Sequence, residues 1–246
     1  MRKTFVPLAL FHGMSYPVRM TAQEKHALHE LLKVSAAHLF GYVPAAFAAD
    51  EAAHRCDAGG PGLDEINKMV AACTGCALSR TRTNVVPGTG VPCPAVLVVG
   101  EGPGAEEDAR GLPFVGPAGQ LLDRMLAAIH LSRSTNCYIA NIVKCRPPGN
   151  RTPSMEEVAA CEPFLKAQIH ALKPRMILAM GRTAAQALLK TDQGISRLRG
   201  KFFAVDGIPI MATYHPSALL RNAELKAPAW EDLKAFAREL GRQNGH

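Results

Sequence analysis

The sequence predicts an α/β protein with three layers, α/β/α, in which helices cover both faces of a central, mainly parallel sheet of four strands. Two observations lead to this prediction. From Leu63 onward, short apolar runs of strand length alternate with segments of helical periodicity, and this alternation is typical of parallel sheets. With 246 residues, of which 48% are hydrophobic, the chain is long enough for one well-buried core and an appendage.

The first residues are predicted to form an extension, which divides the chain into 1–62 and 63–246. Residues 1–19 show no regular pattern. From Thr21, the letters T-A-Q-E have the pattern of a capping box, and leucines follow at helical spacing, so we expect one amphipathic helix there. After Gly41, Pro, Gly and Ala occur without period, as in a linker. We expect this helix to provide a packing surface or a binding surface for a protein partner.

The elements of the domain follow from local patterns. Apolar runs predict strands at 95–100, 137–144 and 175–181, and the runs K-F-F-A-V and I-P-I-M-A-T-Y on either side of Asp206-Gly207 predict a β-hairpin. Amphipathic segments predict helices that begin at Leu63, at Pro117, after the N-cap Ser154 and at Arg182, with a last helix over 227–240.

Charge and cysteine usage limit the class of protein. The net charge of +7 favours a polyanionic partner such as nucleic acid, although an ordinary basic surface is the alternative. Seven cysteines without the pattern of a secretory leader favour a reducing compartment over a disulfide framework. No stretch approaches the ~20 apolar residues that span a bilayer. We therefore expect a cytoplasmic monomer that makes no membrane contact and is associated with the nucleoid through DNA.

Four of the cysteines have the spacing of a metal site. Cys73 and Cys76 lie one helical turn apart in C-T-G-C, whereas Cys145 and Cys161 flank a proline-rich loop and the helix after it. Thiolates gathered in fours bind either zinc or an iron–sulfur cluster. The residues alone leave both alternatives open.

Polar residues follow three of the predicted strands. Glu101 and Gly102 come after the first run, Asn141 lies late in the second, and His215 follows the hairpin. Ligand sites of open parallel sheets form beyond the carboxyl ends of the strands, so we expect these residues to meet. An amide in an apolar strand is costly unless it is satisfied, and a structural hydrogen bond is the alternative for Asn141. For His215 the alternative is an ordinary satisfied histidine.

The glycine-rich turn after the first strand also fits a dinucleotide fingerprint, G-x-G-x-x-A. This interpretation fails, because Pro103 and the acidic run 106–108 stand where a pyrophosphate would need backbone amides and positive potential.

Longer motifs resemble one known family. G-E-G-P-G-A-E-E-D-A-R-G-L-P-F-V-G-P-A-G-Q-L-L, N-I-V-K-C-R-P-P-G-N-R-T-P and H-P-S-A-L-L-R, preceded by C-x-x-C, are similar to motifs of the family 4 uracil-DNA glycosylases. The resemblance covers residues 65–240 in unbroken order and leaves out residues 1–60. A related group binds uracil-DNA covalently through a histidine in a K-R-R-I-H insertion. The matching stretch here, K-C-R-P-P-G-N-R, has no histidine, which favours an enzyme that turns over.

The resemblance implies a monofunctional hydrolase of base excision repair. Such an enzyme everts uracil from single- or double-stranded DNA, hydrolyses its N-glycosidic bond, releases free uracil and leaves an abasic site. The resemblance also implies that Cys73, Cys76, Cys145 and Cys161 hold a 4Fe–4S cluster. A zinc ribbon would show two tight C-x-x-C pairs, whereas fifteen residues separate the second pair here.

The resemblance further assigns roles in the site. Glu101, Gly102, Phe114, Asn141 and His215 would bind uracil, with Phe114 stacking on the base, Asn141 reading its N3–H and O4 edge, and His215 donating to O2. Glu101 is also expected to crowd the C5 position and exclude thymine. This sequence has glycine at position 102, where other families place a water-activating aspartate, so Glu107 is the first candidate for positioning water and Glu101 the second.

A second group of residues is expected to engage DNA. We expect Leu219 or Leu220 to fill the vacated stack as a wedge, with core leucines as the alternative. Ser217 begins the same duplex-engaging loop, and the phosphate contacts are assigned to Arg221, Arg146 and Arg151. The competing functional hypothesis is a non-catalytic iron–sulfur module that binds uracil or single-stranded DNA without turnover, and a weaker one is a zinc-stapled nucleotide-binding protein.

Overall fold

The structure is a computed structural model in which residues 62–243 are described. The predicted N-terminal helix and linker lie outside these residues. One sheet has the strand order β1-β3-β2-β4-β6-β5. Its four inner strands run parallel and each edge strand is antiparallel to its neighbour. The predicted four-stranded parallel core is therefore confirmed, with one further strand on each side. The strands are β1 (Thr89–Gly90), β2 (Val96–Gly100), β3 (Cys137–Asn141), β4 (Met176–Met180), β5 (Phe202–Val205) and β6 (Ile208–Thr213).

The helices begin close to the residues that the sequence indicates. Ser154 caps its helix as predicted, because its side chain accepts the N–H of Glu157 while the Glu157 carboxylate accepts the N–H of Ser154. Among the described residues, no helix combines the length and apolar character needed to cross a bilayer. The helices are α1 (Leu63–Ala72), α2 (Ala105–Arg110), α3 (Pro117–Ala127), α4 (Met155–Leu172), α5 (Arg182–Leu189), α6 (Ile195–Leu198), α7 (Pro216–Arg221) and α8 (Lys226–Arg242).

Both faces of the sheet are covered, which confirms the three layers. Successive residues of β2 point to opposite faces: Leu97 packs into a core formed with α4 and α5, and Val98 into a core formed with α3 and α8. All residues of β2, β3 and β4 are buried, as expected of parallel strands between two helical layers.

The sheet topology creates a crevice at one edge. β2 pairs with β3 on one side and with β4 on the other. The order of the strands along the sheet therefore reverses at β2, and the segments that follow β2 and β4 leave the sheet on either side of this point. The parallel strands end together at Gly100, Asn141, Met180 and Thr213. Crevices at such switch points are where ligands bind in open α/β sheets.

Candidate active site

A cavity of about 620 Å³ opens at the carboxyl edge of the sheet. It collects residues from the ends of all the parallel strands and from the segments that follow them. The predicted residues that line it are Glu101, Gly102, Glu107, Phe114, Asn141, Arg151, His215, Ser217 and Arg221. A second cavity of about 590 Å³, between α4, α5 and the β5–β6 hairpin, has a largely aliphatic wall and contains none of these residues. The polar residues predicted at the ends of the strands therefore converge on the first cavity.

Asn141 presents an unpaired acceptor in this cavity. The residue is 1% exposed, and its Oδ1 atom is buried without a hydrogen-bond partner within residues 62–243. A Cβ at Gly100 would lie 2.5 Å from this oxygen and 2.5 Å from the ring of Phe114, so only glycine leaves room for both. A buried polar group left unsatisfied costs about 1–3 kcal/mol. The carbonyl of Asn141 is therefore available to a donor on a ligand.

His215 presents a donor to the same cavity. Its Nδ1 accepts the backbone N–H of Ser217 at 3.1 Å and lies 2.8 Å from the Ser217 hydroxyl. The ring proton of the neutral side chain therefore resides on Nε2. Burial, reinforced by the positive charge of Arg221 and opposed by Glu107, lowers the pKa of His215 to about 4. The side chain is consequently an uncharged N–H donor at neutral pH.

Phe114 forms the third side of the cavity in an unusual backbone conformation. It is 6% exposed and has φ of 53°, a region that bulky residues rarely adopt without external support. Its ring centroid lies 5.5 Å from that of His215, with an angle of 31° between the planes. An aromatic face, an amide and an imidazole thus surround one space, and a planar heterocycle is the kind of ligand that fits it.

Glu107 supplies part of the support for Phe114. One oxygen of its carboxylate accepts the N–H groups of Val115 at 2.8 Å and Gly116 at 2.9 Å, and the other accepts that of Gly104 at 3.1 Å. The carboxylate that we predicted to position water therefore also joins α2 to the loop that carries Phe114.

Arg133 supplies the rest of this support, and no sequence pattern indicated it. Its guanidinium donates to the carbonyl oxygens of Pro113 and Phe114, both at 2.9 Å, and forms an ion pair with Asp123 at 2.8 Å. An arginine in a loop after α3 has no local pattern that marks it. Only the fold brings it to the backbone of Phe114.

Glu101 is held by Thr183, another residue that no sequence pattern indicated. The hydroxyl of Thr183, in the first turn of α5, donates to one carboxylate oxygen of Glu101 at 2.5 Å. The two residues are far apart in sequence and meet because β2 and β4 are neighbours in the sheet.

Some of the predicted DNA-binding residues are exposed and available to DNA, whereas others are buried or have protein partners. Leu219 is 3% exposed and belongs to the interior, whereas Leu220 is 50% exposed. Of the two predicted wedges, Leu219 is therefore not available, because helix α7 turns it inward. Arg151 forms a two-pronged ion pair with Glu157 at 2.6 and 2.8 Å, and Arg146 donates to Asn150 at 2.8 Å. Arg221 is exposed at the cavity.

The four predicted metal ligands line one small cavity. Cys73, Cys76, Cys145 and Cys161 surround it together with Arg82 and Lys144. Within residues 62–243 no three His, Cys, Asp or Glu side chains are grouped closely enough for a single metal ion. The fold thus brings all four predicted ligands to the same cavity.

Donors face the sulfurs in this cavity. Arg82 donates to the sulfur of Cys145 at 3.0 Å, and backbone N–H groups of Lys144 and Gly75 donate to those of Cys161 at 3.3 Å and Cys73 at 3.4 Å. Burial raises the pKa of the Cys145 and Cys161 thiols. The donors to these two sulfurs, Arg82 and the backbone N–H of Lys144, lower these pKa values in turn, because they stabilise negative charge on sulfur.

Lys144 connects this cavity to the end of β3. Its ammonium is buried and donates to the backbone oxygen of Asn141 at 2.9 Å and to the side chain of Gln168 at 2.6 Å. Burial lowers the pKa of Lys144 to about 8. The short segment from Asn141 to Cys145 therefore lies between the cavity at the carboxyl edge of the sheet and the cavity lined by the four cysteines.

Comparison with known proteins agrees with this geometry. Residues 87–234 match the model of the Uracil DNA glycosylase superfamily, a stretch that contains Asn141 and His215. The chain belongs to this superfamily. Several curated relatives, each named Type-4 uracil-DNA glycosylase, match it over most of their length. The relative from Thermotoga maritima is 43% identical over 73% of this chain and 96% of its own. The relative from Pyrobaculum aerophilum is 42% identical over 71% and 92%, and that from Archaeoglobus fulgidus 40% over 74% and 94%.

Proposed function

We propose that this protein is a uracil-DNA glycosylase of DNA repair, which hydrolyses the N-glycosidic bond of uracil in DNA. The name shared by its relatives supports the activity. The observation that carries the proposal for this chain is the pairing of an unsatisfied acceptor with an uncharged donor in one cavity, Asn141 Oδ1 and His215 Nε2–H. Uracil offers the complementary groups, a donor at N3 and acceptors at O2 and O4.

Binding begins with eversion, because the reacting atoms are inaccessible inside a base stack. Phe114 then stacks on the uracil face, which contributes about 1–3 kcal/mol. Asn141 accepts the N3–H of uracil. Cytosine has a lone pair at N3 and would leave both acceptors unpaired, so a fixed amide discriminates against it.

Bond cleavage places negative charge on the leaving base. The electron pair of the C1′–N1 bond moves into the ring and onto O2, where the N–H of His215 stabilises it without transferring its proton. Water then forms the new bond to C1′ and releases a proton, and N1 of the departing uracil regains one from solvent. Atoms and charge balance with water as the co-reactant.

We assign the orientation of this water to a carboxylate at the cavity. Both oxygens of Glu107 already accept backbone N–H groups, whereas the hydroxyl of Thr183 occupies one oxygen of Glu101. The contacts favour Glu101, which reverses the order of the two candidates predicted from sequence. Glu107 remains essential in this proposal because it holds Phe114.

We further propose that Cys73, Cys76, Cys145 and Cys161 hold a 4Fe–4S cluster. The grouping of the four sulfurs around one cavity and the three donors that face them support this assignment. A bound cluster would tie the end of α1 to α4 and to the segment after β3. Since hydrolysis is redox-neutral, this crosslink is the contribution that we assign to it.

Loss of one cluster ligand should have a distinct signature. We expect Cys145→Ser to remove iron, sulfide and the broad absorbance near 400 nm, and to lower the midpoint of thermal unfolding, because metal binding is linked to folding. Cys137→Ala is the control, since Cys137 is buried in the opposite core and lies outside the four. A colourless wild-type protein that contains zinc would contradict the cluster assignment.

The decisive experiment for the activity uses an oligonucleotide with a single uracil. We expect release of free uracil and an alkali-labile abasic site, with no product from the same oligonucleotide containing cytosine or thymine. Tight binding to the uracil oligonucleotide without release would instead show a non-catalytic module and overturn the proposal.

The adjacent leucines of α7 should separate DNA engagement from folding. Leu220→Ala should lower the rate on a duplex more than on a single strand and leave stability unchanged, because this exposed side chain is proposed to fill the vacated stack. Leu219→Ala should lower the free energy of unfolding by about 2–5 kcal/mol, since it opens a cavity in the interior. Rates on duplex and single-stranded substrates, with urea unfolding, measure both. Equal loss on the two substrates in Leu220→Ala would contradict the wedge.

A further inference from the structure

We propose that Arg199 and Asp232 are positioning residues for the proposed reaction, which act by fixing Tyr214 and His215 in the cavity wall. This inference rests on the proposed function, since its effect is on uracil release. Neither residue lines the cavity, and neither belongs to the motifs described above. Their contacts form a network around the end of β6.

Asp232 is the centre of this network. It lies on α8, is 3% exposed, and accepts from Arg199 Nε at 3.0 Å and Nη2 at 2.7 Å. The hydroxyl of Thr213, the last residue of β6, donates to the same carboxylate at 2.7 Å. Burial raises the pKa of Asp232, whereas the Thr213 hydroxyl and Arg199 lower it. A buried charge is tolerated only when it is paired and hydrogen-bonded in this way, so the contacts define one geometry.

Arg199 extends the network along the chain toward His215. Its backbone forms a bridge with Ala212, and the N–H of Gly200 donates to the oxygen of Ala212 at 3.0 Å. Its guanidinium lies 5.3 Å from the ring centre of Tyr214, which lines the cavity. Gly200 has φ of 68°, and a Cβ there would lie 2.6 Å from the Asp232 carboxylate.

The network therefore contacts three consecutive residues: the backbone of Ala212, the hydroxyl of Thr213 and the ring of Tyr214. The next residue is His215. Its donor is useful only if Nε2–H points at the atom on which charge develops, and a misplacement of about 1 Å can lower a rate about 10²-fold. The backbone of His215 continues directly from that of Tyr214. Arg199 and Asp232 therefore fix the position of the backbone from which the imidazole of His215 projects.

The test measures whether Arg199 acts through His215. We expect Arg199→Lys, which keeps the charge and loses the two-pronged contact, to lower the single-turnover rate about 10- to 100-fold at unchanged affinity for uracil-containing DNA. Arg197→Lys is the matched control, an exposed arginine two residues away, and should change neither value. In a His215→Ala background, Arg199→Lys should lower the residual rate less than about two-fold, because coupled residues are not additive.

Two results would overturn the inference. One is the same fold-decrease in both backgrounds, which indicates a general loss of structure, and the other is an unchanged rate in the wild-type background. If Arg199→Lys does not fold, Thr213→Val provides the same cycle, since it removes one donor to Asp232 at similar volume. A wild-type protein that releases no uracil would refute the proposed function, whereas an active wild type with additive variants would refute only the positioning role.

Discussion

His215→Ala is expected to lower the single-turnover rate of uracil release about 10²–10³-fold, because one preorganised donor to developing negative charge is worth about 3–4 kcal/mol. The affinity for uracil-containing DNA should change little, since the negative charge on O2 develops only as the bond breaks. His170→Ala is the control, because it removes an exposed histidine in the last turn of α4 that does not line the cavity. An equal loss in both variants would contradict the role of the Nε2–H donor.

The same histidine makes a prediction about pH. Its pKa in the folded protein is about 4, against about 6.5 in an unfolded chain. The rate of uracil release should therefore not change near pH 6.5 through titration of His215, and the pH–rate profiles of the wild type and His215→Gln should have the same shape in this range. Between these two values the unfolded chain binds the extra proton, so the contribution of His215 to stability falls as pH falls. Urea unfolding of the wild type and His215→Gln at neutral and mildly acidic pH gives the free energy of unfolding of each. On acidification, the wild type should lose more stability than the variant.

Local patterns predicted the scaffold well because its elements depend on neighbouring residues. The strand that ends at Gly100 is an uninterrupted apolar run, and the helix after Ser154 has its capping box within four residues. The edge strand β1 was missed, since Thr89–Gly90 is too short to have a pattern and exists only by pairing with β3.

The predicted site was incomplete for a related reason. Asn141 ends β3 and His215 follows β6, and although β2 and β4 lie between these strands, all four are parallel and their carboxyl ends share one edge, so topology was sufficient to bring the two residues to one cavity. Arg133, Thr183 and Arg199 each act on a residue that is distant in the chain, and no spacing indicates such a contact. Neighbouring leucines posed a different problem, because the direction of each side chain depends on how α7 lies on the core.

Asn141→Ala is expected to lose uracil release by at least about 10²-fold while the free energy of unfolding stays level or rises. The rate falls because the buried acceptor for N3–H is gone. Stability is spared because Oδ1 has no hydrogen-bond partner among the described residues, and removing a buried, unsatisfied polar atom relieves a desolvation penalty of about 1–3 kcal/mol. A residue that weakens the fold and is required for binding marks a functional site.

Gln168→Ala is the matched control for this prediction. Gln168 is also a buried amide, but its oxygen accepts from Lys144 at 2.6 Å and its nitrogen donates to Pro87 at 2.9 Å. Its removal leaves buried partners unsatisfied and should lower the free energy of unfolding by about 1–3 kcal/mol. Urea unfolding compares the two variants directly.

Free uracil should raise the unfolding midpoint of the wild type and of Gln168→Ala but not that of Asn141→Ala, since only a ligand that binds the folded state stabilises it. A destabilisation of Asn141→Ala as large as that of Gln168→Ala would mean that the amide of Asn141 has a structural partner in solution, and its assignment as the reader of N3–H would then fail.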